Sequence, residues 1–232
     1  MQLSIVIPTY REHHGIADLI EYLREHSPSG TTEIIVADYA ACDATAAVAA
    51  RVGAQVVACT RKGRSAQMNA GAAQATGSVL YFLHADSYPP PSFYPDIMQA
   101  VSQGCAAGCY RLRFDDRHWA LRFFEWFTRF DFTWFRFGDQ SLFVQRWAFE
   151  AVGGYDEQML VLEDQDIVKR LSRRGTFRVC RKAVTTSARK FRANGVVRLY
   201  TWFFGIYTLY ALGLPQRLLI RVYRRFIVHG KV

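Results

Sequence analysis

Short unbroken apolar runs alternate with apolar residues at helical spacing from the first residues of this chain. Leu3 to Ile7 is an apolar run closed by Pro8, the form expected of a central parallel strand covered on both faces. Ile16, Leu19, Ile20 and Leu23 then recur on one helix face, and Pro28-Ser29-Gly30 breaks that helix. Thr32 to Ala37 predicts a second strand ending at Asp38, and Asp43-Ala44-Thr45 opens an alanine-rich helix to about Val52. Ala54 to Cys59 predicts a third strand. Arg61-Lys62-Gly63-Arg64-Ser65 leads into a helix from about Ala66 to Ala75, and Val79 to Leu83 predicts a fourth strand. Strands alternating with helices in this way imply an α/β fold with a parallel sheet and right-handed crossovers.

The pattern is less regular further on. A helix is expected past Pro91 to about Gln103, then a strand from Cys105 to Phe114. Residues Trp119 to Phe137 hold ten aromatics in nineteen positions, more than one helix face needs. They suit either a core helix with a packing loop or a surface that stacks on sugars or meets lipid. Ser141 to Gln145 predicts a strand, Gly153-Gly154-Tyr155-Asp156-Glu157 a turn, and Glu163 to Leu171 a helix. Leu199 to Leu214 is an apolar and aromatic stretch of sixteen residues, short of the roughly twenty that a membrane span needs. Leu218, Leu219, Val222, Tyr223, Phe226 and Ile227 form an apolar stripe accompanied by Arg217, Arg221, Arg224 and Arg225. That pattern predicts a basic amphipathic helix lying on an anionic membrane. A helix hairpin packed on the body is the other reading.

Composition sharpens this picture in two ways. The chain has 232 residues, half of them hydrophobic, enough for one α/β domain with a sizeable core and an appendage. Its net charge of +9 is uneven: all twenty acids and thirteen of the bases precede Ile167, and the remaining sixteen bases follow it with no acid among them. Such a split suits an anionic partner for the C-terminal third, with phosphates, nucleic acid and an anionic lipid surface as candidates, or else a solvated basic face; the expected partner is an anionic membrane surface and not nucleic acid. Five cysteines without a Cys-x-x-Cys spacing point to reduced, buried thiols. The first strand starts at once, without a basic leader or a small-residue cleavage site. The expected location is cytoplasmic, peripheral to the inner face of the cell membrane.

The candidate chemistry sits at strand ends. Thr9 with Glu12, Asp38, and His84 with Asp86 each follow a predicted strand, and ligands of open α/β sheets bind outside the carboxyl ends of strands. The chain has no Gly-x-Gly-x-x-Gly after its first strand and no Gly-x-x-x-x-Gly-Lys-Ser/Thr. A phosphate would thus be held by a cation on a carboxylate such as Asp86, with help from Arg61, Lys62 and Arg64. Asp86 also suits a plain loop start. Glu163, Asp164 and Asp166 favour a helix N-terminus, yet three acids in four residues exceed what a cap requires, and close like charges raise a pKa into the range of a useful base.

These residues resemble family 2 glycosyltransferases of the GT-A fold. Ser4-Ile5-Val6-Ile7-Pro8-Thr9-Tyr10 looks like that family's opening strand, and Asp38 with Asp43-Ala44-Thr45 is similar to the ends of its Asp-Asp-Gly-Ser-x-Asp-x-Thr segment. Met68-Asn69-Ala70-Gly71 fits its sugar-nucleotide helix. His84-Ala85-Asp86 occupies the Asp-x-Asp position, in a form that looks like a bacterial subgroup. Gly153 to Glu157 and Glu163-Asp164 match its acceptor-side motifs. Tyr39, Ala40 and Ala41 depart from the pattern, as do Tyr10-Arg11 before Glu12 and His84 itself.

The resemblance implies a Rossmann-like, mainly parallel sheet flanked by helices, with a C-terminal helical appendage. It implies an inverting transfer from a UDP- or GDP-sugar to the hydroxyl of an unidentified acceptor, with a lipid-linked acceptor among the candidates. The metal, Mn²⁺ or Mg²⁺, would be held by Asp86, and Asp164 would be the base. Thr9, Glu12, Asp38, Asp43, Arg64, Asn69, His84 and Asp86 would contact the nucleotide sugar. Gly138, Asp139, Gln140 and Glu163 would line the acceptor side. Residues 1–110 would form the nucleotide-sugar half, 111–195 the acceptor half, and 196–232 the membrane-associated helices. A nucleotidyltransferase and a non-catalytic sugar-binding or membrane scaffold module stay open as alternatives.

Overall fold

The computed structural model describes residues 2–39, 44–130 and 138–227. The first half follows the alternation of the sequence. Strands β1 (Leu3–Thr9), β2 (Thr32–Tyr39), β3 (Gln55–Cys59) and β4 (Val79–Phe82) are separated by helices α1 (Ile16–Glu25), α2 (Thr45–Arg51) and α3 (Arg64–Gln74). All four strands are parallel, with Thr9 opposite Asp38 and Val6 opposite Phe82 in register.

The second half completes a mixed sheet less predictably. The chain continues through β5 (Ser87–Tyr88), α4 (Phe93–Ser102), β6 (Ala107–Phe114) and α5 (Trp119–Phe127). A 3-10 turn at Gly138–Gln140 precedes β7 (Leu142–Gln145), α6 (Arg146–Ala151), α7 (Glu163–Leu171) and β8 (Phe177–Thr186). Helices α8 (Arg189–Asn194), α9 (Val196–Ala211) and α10 (Gln216–Phe226) follow. Among the described residues the strand order is β3-β2-β1-β4-β7-β6-β8-β5. Strand β7 runs antiparallel to β4 and β6, β8 parallel to β6, and β5 antiparallel to β8. The proline-bounded loop expected after Asp86 contains β5, because Ser87 and Tyr88 pair with Thr186 and Thr185 of β8. The sheet runs unbroken through residue 110, since β6 spans it.

Alternation along each strand feeds two apolar layers. Leu3, Ile5, Ile7, Val79 and Tyr81 face one side with Ile16, Leu19, Ile20 and Leu23 of α1. Val6, Leu80 and Phe82 face the other with Met68 and Ala72 of α3 and Ile167, Val168 and Leu171 of α7. A Cβ on Gly71 would overlap Val6 Cγ1, so only glycine lets α3 lie this close to β1. That contact sets α3 against the carboxyl ends of β1 and β2.

The C-terminal helices are part of this body. Leu199, Tyr200 and Ile206 of α9, Leu219, Ile220 and Tyr223 of α10, and Ile227 beyond it are buried in the first layer. The apolar stripe expected to meet lipid is therefore turned inward over much of its length, as in the hairpin reading. Leu218 and the arginines of α10 stay exposed. Among the described residues no helix is long and apolar enough to cross a membrane.

Candidate active site

The chain order reverses between β1 and β4, so a crevice opens beyond their carboxyl ends. Its floor is built from buried polar groups. Thr9 Oγ1 donates to Asp38 Oδ1 at 2.7 Å. Gln67 Nε2 donates to the carbonyls of Thr9 (2.6 Å) and Ala37 (2.8 Å), binding α3 to both strand ends. Glu12 N–H donates to Thr45 Oγ1 at 3.0 Å, fixing the loop after β1 to the start of α2. Gln67 was not among the expected site residues, and only its place one turn into a helix after a strand hinted at it. Asp43 lies outside the described residues. At the rim, the rings of Tyr10 and Tyr39 stand 6.0 Å apart, with the Arg11 and Lys62 cations at 5.2 and 5.8 Å from the Tyr10 centroid.

The end of β4 carries a chain of charges. His84 Nδ1 lies 3.1 Å from Asp139 Oδ1. Burial disfavours the His84 imidazolium, but the hydrogen bond to Asp139 outweighs it and the group titrates above its usual value. The converse holds for Asp139: burial pushes its carboxyl up, but the bond to His84 brings it down to about 2. Asp86 titrates above the usual carboxylate range, first through burial and then through the charge of Asp139. Arg189, at the start of α8, reaches between strand ends, 3.6 Å from Asp86 and 3.6 Å from Glu12. Arg189 was not among the expected site residues.

A third group joins α3 to α7. The Arg64 guanidinium lies 2.6 Å from the buried Glu163 carboxylate. Beside it, burial and the Glu163 charge push the Asp164 carboxyl up to about 6, with Arg64 and His84 opposing. Arg11, Ser141 and Leu162 hold positive φ of 57°, 59° and 65°. These are uncommon for non-glycine residues, and each precedes or follows a crevice residue: Glu12, Gln140 and Glu163. Strain of this kind concentrates where surrounding structure holds a functional loop in one shape.

The other expected residues have defined places. Asn69 exchanges two 2.9 Å bonds with the Tyr155 backbone and gives a third to Glu157, bracing α3 against the Gly153–Glu157 turn. Glu157 also pairs with Arg61. Gln140 is buried beneath the crevice, 1 % exposed, and Gly138 begins the turn that presents Asp139. Between α7 and the C-terminal helices lies a cavity of about 120 Å³, lined on one side by Arg64, Asp139, Glu163 and Asp164, and on the other by aromatic residues of α9 and by Tyr223. Sequence reading left that stretch between a membrane-associated segment and a helix hairpin packed on the body.

A family model described as glycosyl transferase family 2 matches residues 4–149. The chain belongs to that family. A dolichol-phosphate mannosyltransferase of Pyrococcus furiosus is 28 % identical over 109 residues, which is 45 % of this chain and 31 % of that protein. The mannosyltransferase PcManGT of Pyrobaculum calidifontis, solved with GDP-Man and Mn²⁺, superposes with TM-score 0.65 at 17 % identity, over 80 % of this chain and 56 % of its own. TarS of S. aureus, solved with UDP-GlcNAc, gives 0.67 at 15 %, over 82 % and 59 %. Glucosyl-3-phosphoglycerate synthase of Mycobacterium tuberculosis, solved with Mn²⁺, UDP and its product, gives 0.62 at 17 %, over 92 % and 81 %. The chain thus spans about a third of the curated relative and over half of the first of these structures. Its family 2 fold is GT-A, as the resemblance implied.

A divalent cation fits Asp86 on the structure's own terms. The acid is recessed, its ionisation is opposed by burial and by Asp139, and a cation would relieve both. Among the described residues no cluster of three or more acids, histidines or cysteines could cage a metal. Such a site suits a cation that takes one or two carboxylates and completes its shell with phosphate and water.

Proposed function

We propose that the chain is an inverting glycosyltransferase that moves a sugar from a nucleotide-diphosphate sugar to an acceptor hydroxyl. The observation that carries this reading is the division of labour within one crevice. Asp86 stands on the diphosphate side with His84, Arg189 and the basic lip, while Asp164, titrating near 6, stands across it at the mouth of a separate cavity.

Tyr10 and Tyr39 offer aromatic faces for the base, with Asp38 beneath and Arg11 and Lys62 beside them. That lip does not distinguish uracil from guanine, and UDP- and GDP-sugars are both candidates. Mn²⁺ or Mg²⁺ held by Asp86 would supply charge neutralisation of the diphosphate leaving group. His84, whose imidazolium form the hydrogen bond to Asp139 favours, would add positive charge beside it. Arg64 holds Glu163 in place and keeps Asp164 from titrating higher still. Asp164 takes the acceptor's proton as its oxygen attacks the anomeric carbon. Residues 1–110 would form the donor half and 111–195 the acceptor half.

Attachment to the inner face of a cell membrane is part of the proposal. It is supported by the basic C-terminal third and by Trp119, Phe123 and Trp126, which are exposed on one side of α5 in a segment that also exposes Arg122 and Arg129. The exposed arginines of α10 would add charge attraction.

Nucleotide binding tests the core of the reading. UDP or GDP with Mn²⁺ should raise the melting temperature, since a ligand at 100 times its dissociation constant stabilises by about 2.7 kcal/mol. EDTA or Asp86→Ala should abolish that shift and the calorimetric binding. Binding that is indifferent to both would remove Asp86 and the cation from the mechanism.

A further inference from the structure

We infer that the cavity between α7 and α9 seats the acceptor, and that the acceptor presents one neutral polyhydroxylated ring there, a pyranose or a cyclitol. This rests on the glycosyl-transfer reading and names its second substrate by class. Four observations converge on it.

The first is position: Asp164 and Glu163 line the cavity, so whatever occupies it lies against the group proposed to take a proton. The second is size. A closed cavity of about 150 Å³ takes one benzene ring, so about 120 Å³ open on one side holds at most one six-membered ring, with its substituents projecting through the open side. The third is the wall. Tyr200, Phe203, Phe204 and Tyr207 of α9 fall at i, i+3, i+4 and i+7 and all line the cavity. Tyr200 is buried with its ring stacked on Phe124, and the half-buried Phe203, Phe204 and Tyr207 beside it on the same helix face give a stacking platform for the C–H face of a sugar ring.

The fourth is charge. Asp139, Glu163 and Asp164 share the lining with two cations, and both cations are committed. Arg64 pairs with Glu163. Lys190 donates to Tyr223 Oη and sits 5.2 Å and 5.0 Å from the ring centroids of Phe203 and Tyr223. An anionic head would face three acids and find no uncommitted cation among these two. Hydroxyl groups would find carboxylate acceptors at once.

Saturation-transfer NMR on the full chain tests this with methyl α-D-mannopyranoside, methyl β-D-glucopyranoside and myo-inositol as ring probes. Sorbitol serves as the open-chain control and geranyl phosphate as the anionic lipid control. At least one ring probe should receive saturation at its ring C–H protons, and the controls should not. Tyr207→Ala should weaken that binding about two- to tenfold, the worth of one aromatic contact, while Tyr207→Trp should keep it. UDP or GDP affinity with metal should be equal in all three proteins, which also shows that the variants fold. Binding of no ring probe, equal signals from sorbitol, capture of geranyl phosphate alone, or an unchanged affinity in Tyr207→Ala would each overturn the inference. A chain that binds metal and nucleotide but no ring refutes only this step. A chain that binds no nucleotide diphosphate refutes the glycosyl-transfer reading beneath it.

Discussion

Asp164 is held near pKa 6 by a balance that can be pushed both ways. Burial and Glu163 raise it, and Arg64 and His84 hold it down. A base must be ionised to work, so kcat/KM should rise with pH through about 6 and level off above 7, where roughly nine-tenths of the group is ionised. Glu163→Gln removes a charge that raises the pKa, so the rising limb should move toward acid by about one unit. Arg64→Met removes a charge that lowers it, so the limb should move toward alkali by a similar amount. Asp164→Asn should lose the limb altogether and about 10²- to 10⁴-fold in rate. The assay is release of UDP or GDP from the donor sugar that the binding screen selects, followed from pH 5 to 9. Stability gives an independent reading. A carboxyl whose folded pKa lies above its unfolded value binds its proton more tightly in the folded chain, so stability is lost as pH rises from the unfolded value of about 3.9 through the folded value of about 6 and is level above that. Asp164→Asn should therefore melt higher than the natural chain at pH 8, keep about half of that gain at pH 5 and show little gain near pH 3. Limbs that move in the same direction in Glu163→Gln and Arg64→Met, or stay where they were, would refute the assignment of the base.

Three further outcomes follow from particular contacts. Arg189 competes with any cation for Asp86, so Arg189→Ala should bind Mn²⁺ alone more tightly, by no more than about fivefold because the arginine is largely exposed, as read by paramagnetic titration; weaker binding would contradict the competition. Gly71→Ala should cost about 1–3 kcal/mol in urea unfolding, because its Cβ would overlap Val6 Cγ1; a neutral result would mean that α3 can shift off β1. Trp119→Ala with Trp126→Ala should reduce binding to anionic vesicles while nucleotide affinity stays unchanged, and equal binding of variant and natural chain would remove α5 as the lipid contact.

The sequence by itself determined the first four strands, their parallel order and the acids at their ends. Leu3 to Ile7 and Val79 to Leu83 are covered on both faces, and a strand buried on both faces has to be apolar throughout, which is visible in one dimension. The helix at Glu163 was equally legible, since its acids and the Ile167, Val168, Leu171 face are local features. Only the tertiary structure decided β8. Phe177 to Thr186 carries Arg178, Arg181 and Lys182, and Arg181 and Lys182 fall where its register with β6 shifts between Tyr110 and Arg111. Its strand character comes from a partner some seventy residues away, not from its own pattern. The structure likewise decided what covers the C-terminal helices. Periodicity states that one face of α9 and one face of α10 is apolar, and lipid, core and a ring-sized cavity all satisfy that statement. Burial of Leu199, Leu219 and Tyr223, and the meeting of Tyr207 and Asp164 at one cavity, depend on where β4, α7 and Asp139 stand in space, which no local pattern contains.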